Sequence, residues 1–316
     1  MNKTLLALVA ALTLCRAAAA EEPKYEFAPD FIQPPPGKEK LGNSHGEIAV
    51  DSTGNIYVSV QEKGAGLLVY GPDGKFIKSL PLPDSLHGFV IRKNEEGEFI
   101  YATVLNEQRF IKCKLDGTVV LEIKKEAFPA EKIGKGLKLT NCDLAPNGDI
   151  YIVDGYGQSW IFQFDKAGKF KKVFGGPVAP YNFKNTHKIF IDHRFTPARI
   201  VALDRGNNRM LHLDLDGNII GIIADKGLRN PSSASFFRDL MCVAEIAGRV
   251  SVWDKENKMV AELGLHEKLT NTPKIEPKDW QVGIVTSPHG ITFDGNGNIL
   301  ETEWNQWGRV LRWNKK

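Results

Sequence analysis

From about residue 45 to the C terminus, short runs of alternating apolar and polar residues are separated by Gly, Asn and Asp at regular intervals. The clearest copy reads Gly46-Glu-Ile-Ala-Val-Asp-Ser-Thr-Gly-Asn-Ile-Tyr-Val58, followed by Leu67-Leu-Val-Tyr-Gly-Pro-Asp-Gly-Lys-Phe-Ile77. A period of two bounded by turn formers predicts half-buried antiparallel strands joined by tight turns. The cycle restarts near His87, Thr140, His187, Ser232 and His289, with inner turns such as Pro146-Asn-Gly-Asp149 and Asp294-Gly-Asn-Gly-Asn298. Outer turns recur at Leu115-Asp-Gly117, Asp165-Lys-Ala-Gly168 and Leu215-Asp-Gly217. Each cycle supplies four strands, and six cycles of about 45 residues fill the span, the length of a four-stranded blade. The expected fold is therefore all-β, a six-bladed β-propeller of four-stranded antiparallel blades. No segment carries a competing helical period. A parallel β-helix is the structural alternative, but its coils are shorter and do not need four strands per cycle.

The sixth cycle stops at Gly308-Arg-Val-Leu-Arg-Trp313, one strand short. The stretch Tyr25 to Ile32, ahead of Pro34-Pro-Pro36, is expected to supply that strand and close the ring, removing an open sheet edge. Residues 21–44 are thus read as a ring-closing strand plus a Pro-rich linker, and residues 45–316 as the propeller. Residues 1–20 combine Lys3, an apolar stretch from Leu5 to Cys15 and a run of alanines before Glu21. Those are the marks of a secretory signal peptide, so the expected location is exported, periplasmic or extracellular. The apolar stretch is too short to span a bilayer, and membrane insertion is not expected.

The formal net charge is +3, and two of the positive charges, Lys3 and Arg16, lie in the leader. A nearly neutral chain lacks the concentrated basic surface that nucleic acid requires. Beyond the leader remain Cys113, Cys142 and Cys242, an odd number that leaves at least one thiol unpaired. A closed ring has no obligatory interface, so a monomer is expected.

His87, His187 and His289 lie about 100 residues apart, two cycles each, and each opens a similar apolar run. On alternate blades of a six-fold ring they would converge on the axis and leave one side open, which suits a catalytic metal site. Imidazole donors favour zinc or another first-row divalent metal over calcium. Each histidine alone could merely pack at a blade start; three in one register favour the metal. His45 stands six residues before Asp51 rather than five. Because side chains alternate faces along a strand, that shift turns it away from the shared centre, and Gly46 takes the ligand register in that blade; His45 is read as a residue near the axis or behind the ligands. His193, His212 and His266 are read as strand or loop residues without a metal role.

The segments Pro288-His-Gly-Ile-Thr-Phe-Asp294 and Leu203-Asp-Arg-Gly-Asn-Asn-Arg209 resemble NHL repeats. Within that group the chain is most similar, over residues 45–316, to the propeller of peptidyl-α-hydroxyglycine α-amidating lyase. The resemblance implies that His87, His187 and His289 hold a zinc ion. It also implies a catalytic tyrosine in Asp154-Gly-Tyr156 and a catalytic arginine in Asp204-Arg205. The chain departs from the family in the first blade, where Ser59-Val-Gln-Glu62 replaces an arginine-bearing segment. It departs again at Gly290, where the family has a calcium-binding aspartate, so the resemblance carries no calcium site over to this chain.

Tyr156 and Arg205 each follow a second strand, in neighbouring blades, and so belong to loops at one end of the ring. A tyrosine beside a metal and a cation can act as a base, and an arginine can clasp a carboxylate. Asp154, Asp204 and Glu303 recur at equivalent positions, which argues that they bond the following turns. Trp304 and Trp307 flank Asn305 and could line a cleft or pack between blades. The expected partner is a small-molecule or peptide substrate at the channel mouth, and the leading activity is metal-dependent cleavage of the C–N bond of a hydroxyglycine-type carbinolamide. A non-catalytic propeller that binds a peptide, glycan or protein is the alternative, since fold alone does not choose. A calcium-dependent lactonase ranks behind both.

Overall fold

The inner turns set where the strands begin. In the first, Asp51 Oδ1 accepts from the backbone amides of Thr53 and Asn55, both at 2.9 Å, and Gly54 donates to the Asp51 carbonyl at 3.0 Å. Gly54 holds φ at +89°, a left-handed conformation that a side chain would strain. Asp294, Gly297 and Asn298 repeat the arrangement in the last blade, with φ +84° at Gly297. The aspartate and the glycine together reverse the chain in register, so the next strand lies antiparallel to the last.

The computed structural model describes residues 22–268 and 274–316. The leader assigned to residues 1–20 lies outside the described residues. Six four-stranded antiparallel sheets form the blades of a propeller. Their innermost strands are Ile48–Val50, Leu86–Asn94, Asn141–Leu144, Thr186–Asp192, Pro231–Phe237 and Pro288–Phe293, and each touches the innermost strand of the blades on both sides. Blade six comprises Pro288–Phe293, Ile299–Glu303, Val310–Lys315 and, on its outer edge, Tyr25–Ala28. The N-terminal strand pairs Tyr25 with Lys315 and Ala28 with Arg312, so the two ends of the described chain close one sheet.

Burial falls off radially. Every residue of Thr186–Asp192 is buried, whereas the outer strand Phe170–Gly175 is buried only at its end. Side chains of each inner strand alternate between the two neighbouring blades, so they form apolar layers between sheets. Phe128, Phe162 and Phe164 pack edge-on at 4.9–5.0 Å between ring centres in one such layer. Each fully buried ring of this kind is worth about 1.5–3 kcal/mol over exposure. Cys113, Cys142 and Cys242 are all buried and free. Among the described residues no helix is long and apolar enough to cross a membrane.

Candidate metal centre

A local irregularity aims the histidines. In blades two, four, five and six the pairing of the innermost strand skips one residue near its start, and the skipped residues are His87, His187, Ser232 and His289. A β-bulge of this kind leaves its residue unpaired and redirects the side chain. Gly46 and Thr140 occupy the equivalent places ahead of the strands in blades one and three. Around the axis the ring therefore reads Gly46, His87, Thr140, His187, Ser232, His289, with histidine and small residues in alternation.

The three imidazoles meet there, fully buried, with ring centres 4.8–5.3 Å apart. Each is held from behind by the small residue of the next blade. Nδ1 of His87 donates to the Thr140 carbonyl at 2.8 Å, that of His187 to the Ser232 carbonyl at 2.7 Å, and that of His289 to the Gly46 carbonyl at 2.7 Å. A carbonyl can only accept, so Nδ1 carries the proton and Nε2 presents a lone pair to the axis.

Tyr156, in the turn after Ile150–Val153 of blade three, reaches into this ring. Its hydroxyl lies 3.3 Å from His87 Nε2, 3.0 Å from His187 Nε2 and 3.0 Å from His45 Nε2. It has one proton to give to three nitrogens. His289 Nε2 is buried without a partner. Arg205, in a 3-10 turn after Arg199–Asp204 of blade four, places its guanidinium carbon 5.4 Å from the centre of the Tyr156 ring. With the Asn185 amide turned as its neighbours require, the Asn185 oxygen accepts from Arg205 Nη2 at 3.2 Å and its nitrogen donates to Gly155. Arg205 Nη1 is buried with no partner. An open pocket of about 460 Å³, lined by His45, Tyr156, Asn185, Arg205, Asn230 and Trp304 among others, leads from solvent to the cluster.

Burial pushes the pKa of all three ring histidines well below its ordinary value, with like charge from Lys188 and the neighbouring histidines or Arg205 adding to it. Burial lowers His45 to about 4. The cluster is a set of neutral imidazoles, the form that ligates metal. Burial also raises the Tyr156 phenol, and Arg205 pulls against it without prevailing. The residues fit a divalent metal: Nδ1 is oriented by an outer oxygen, as in metal-ligating histidines, and one buried Nε2 is orphaned. His45, His87 and His289 each offer a ligand atom within 4.8 Å of those of the other two.

One residue further along each strand lies a second layer. Lys188 Nζ bonds Glu47 Oε2 at 2.7 Å across the axis, and both side chains are buried. Ser233 Oγ donates to the same oxygen at 2.8 Å, and the amides of Ile48 and Ile291 donate to Oε1 at 3.1 and 2.9 Å. Burial pushes Glu47 up and Lys188 down, while their mutual attraction holds each against that shift. This layer closes the channel beneath the histidines.

The recurring acids do structural work. Asp154 accepts from the amides of Lys138 and Gln158, Asp204 from that of Lys184 and from Arg209, and Glu303 from Thr286 and Arg309. Glu245 does the same in blade five with Arg229 and Arg249, a fourth member that the sequence reading missed. Arg205 consequently forms no salt bridge among the described residues.

The structure brings His87, His187, His289, Tyr156 and Arg205 together, and adds one group expected to face elsewhere. The ring of His45 lies 4.5 Å from that of His289 and 5.0 Å from that of His87. His45 precedes the strand Ile48–Val50, so the strand alternation used to turn it away does not apply. Its Nδ1 donates to Gln61 Oε1 at 3.0 Å. Trp304 lines the pocket beside His45, whereas Trp307 faces a different cavity. His193 lines the opposite end of the ring, His212 bonds Asp192 at 3.2 Å, and His266 bonds the Lys268 carbonyl.

No family model and no curated protein matches the chain. Solved structures match it in fold. A streptogramin B lyase structure superposes with a TM-score of 0.59 at 14% identity, covering 95% of this chain and 100% of that one. A catalytically inactive virginiamycin B lyase from Staphylococcus aureus with quinupristin gives 0.57 at 16% identity, over 88% of this chain and 82% of that one. A protein provisionally assigned as a gluconolactonase gives 0.61 at 13% identity, over 93% and 98%. At these identities the likeness is one of fold.

Proposed function

We propose that this chain is an exported, metal-dependent lyase that cleaves the C–N bond of a hydroxyglycine-type carbinolamide at the channel mouth. The observation that carries the reading is the surplus of lone pairs. Three buried histidines have Nδ1 tied to carbonyls, so three Nε2 acceptors face one another around a single Tyr156 proton. A divalent cation relieves that arrangement. Zinc or another first-row metal fits the all-nitrogen donor set, with calcium disfavoured by the lack of oxygen ligands in the ring. The lyase names carried by two structures of similar fold are consistent with the reaction class but do not select the substrate.

When bound, such a metal supplies Lewis acidity toward a substrate oxygen. The chain's own groups do the rest. Arg205, which lines the pocket and forms no salt bridge among the described residues, clasps the substrate carboxylate. With a cation in the ring and Arg205 beside it, Tyr156 would stand as the phenolate; its oxygen takes the hydroxyl proton, the C=O bond forms as the C–N bond breaks, and Tyr156 passes that proton to the departing amide nitrogen, which restores the phenolate. The products are an α-keto-type aldehyde acid and a primary amide, so atoms and charge balance.

The test pairs metal content by elemental mass spectrometry with glyoxylate release from an N-acyl-α-hydroxyglycine. The wild type is expected to carry about one zinc-like ion per chain. His87→Ala removes metal and turnover together, whereas Tyr156→Phe keeps the metal and loses roughly 10²–10⁴-fold in turnover. Metal-free wild type that takes up no added zinc would instead leave a ligand-binding propeller as the reading.

A further inference from the structure

We propose that His45 is a fourth histidine ligand of the metal centre. The proposal rests on the metal site of the preceding section, not on the lyase activity. The position of His45, its orientation and the way the chain fastens it carry the proposal.

The first is position. His45 offers a ligand atom within 4.8 Å of those of His87 and His289, and its Nε2 lies 3.0 Å from the Tyr156 hydroxyl that also touches His87 and His187. The second is orientation. Nδ1 of His45 donates to Gln61 Oε1 just as the other three donate to backbone carbonyls, so all four rings present Nε2 lone pairs. An outer oxygen on the far nitrogen is the usual arrangement behind a metal-bound histidine. Gln61 stands in the segment where the resemblance expected an arginine, which gives that departure a purpose.

The third is how the chain holds His45 there without a strand. Ser44 N bonds the Asn305 carbonyl at 3.2 Å, Ser44 Oγ bonds the Glu303 carbonyl, and Gly46 N bonds the Ser44 carbonyl at 2.8 Å. The segment is thereby fastened to blade six, whose His289 the ring must approach. A Cβ at residue 46 would lie 1.9 Å from Ser59 Oγ, so only glycine lets the chain pass this closely. His45 is the one partly exposed member of the four, at the floor of the pocket. It is therefore the ligand that an incoming substrate meets.

The experiment uses the full-length mature protein loaded with zinc, and with cobalt(II) as a spectroscopic probe. X-ray absorption at the zinc edge of the wild type is expected to count four imidazoles. His45→Ala and His45→Gln are expected to count three, to change the cobalt visible spectrum, and to weaken zinc by more than the roughly 10–100-fold typical of losing an outer partner. His266→Ala, remote from the cluster, serves as the control. Three imidazoles in the wild type, with cobalt spectrum and affinity unchanged in His45→Ala, would overturn the proposal while leaving the three-histidine site intact. Failure of the wild type to bind either metal is a different result and removes both readings. The wild-type count needs no variant, so misfolding of a mutant cannot mask the answer.

Discussion

Two layers of the central channel lie one residue apart along the same six strands, and both are buried and polar. The layer of Glu47, Lys188 and Ser233 balances its charges: one carboxylate faces one ammonium, a hydroxyl and two amides, and beside it only the neutral Asn141 amide oxygen lacks a partner. The layer of His87, His187 and His289, with His45 beside it, does not balance, because its lone pairs outnumber its protons. A buried polar group left unmatched costs free energy, whereas a matched one does not. The first layer is thus a structural plug whose charges are matched from within. The second is complete only with something bound.

Acid should separate them most strongly. Burial depresses the folded pKa of all four histidines, to about 4 for His45 and well below the ordinary 6.5 for the others. An unfolded histidine binds a proton below about pH 6.5, but the folded one does not, so stability falls as pH drops from 6.5 through the folded values. Each histidine contributes up to about 1.4 kcal/mol per pH unit, and the four together up to about 5.5. Glu47 and Glu301, raised by burial, act with opposite sign and subtract from that slope. Urea melts of metal-free protein at pH 7, 6 and 5 measure it, and each His→Gln change in the cluster should remove about 1.4 kcal/mol per unit. A flat profile would mean that the histidines are already charged in the fold, and the ligand argument would fail.

Breaking the plug should cost somewhat less, and at every pH near neutrality. Glu47→Ala leaves the Lys188 ammonium buried alone, a loss of about 3–5 kcal/mol. Glu47→Leu combined with Lys188→Met should cost less than the sum of its parts, because neither charge is then stranded. In the histidine layer of the metal-free protein, His187→Gln should cost far less than Glu47→Ala, since it removes one of the surplus acceptors. Equal costs in chemical melts would erase the distinction between the layers.

Much of the fold was legible because its signals are local. The Asp51 and Asp294 turns bond within five residues, and a period of two survives in each strand, so six blades could be counted. The register of His87, His187 and His289 was legible for the same reason. What the sequence did not disclose are the contacts across the axis. Lys188 and Glu47 are 141 residues apart, and nothing near either names the other. His45 was misread because its facing was argued from strand alternation, and its segment is not a strand. The bulges at the three ring histidines escaped notice too, as a skipped pair is a property of two strands at once.

Blade six offers the smallest test of the same contrast. Glu303 bonds Thr286 and Arg309, whereas Glu301, two residues earlier on the same strand, is fully buried with both carboxyl oxygens unpartnered. Burial first, and then the Glu303 charge, push its pKa well above the usual carboxylate range. A raised acid binds its proton in the folded state over a range where the unfolded chain has released it. Its stability contribution is therefore whole below the unfolded value of about 4.3 and is lost as pH rises toward the folded value. Glu301→Leu should accordingly stabilise the protein by about 1–3 kcal/mol at pH 7 and by less at pH 4, read as the difference in thermal or urea midpoints. Destabilisation of the same size at both pH values would show that Glu301 holds a buried partner of its own. That carboxyl would then belong with the balanced plug rather than with the unmatched nitrogens of the histidine cluster.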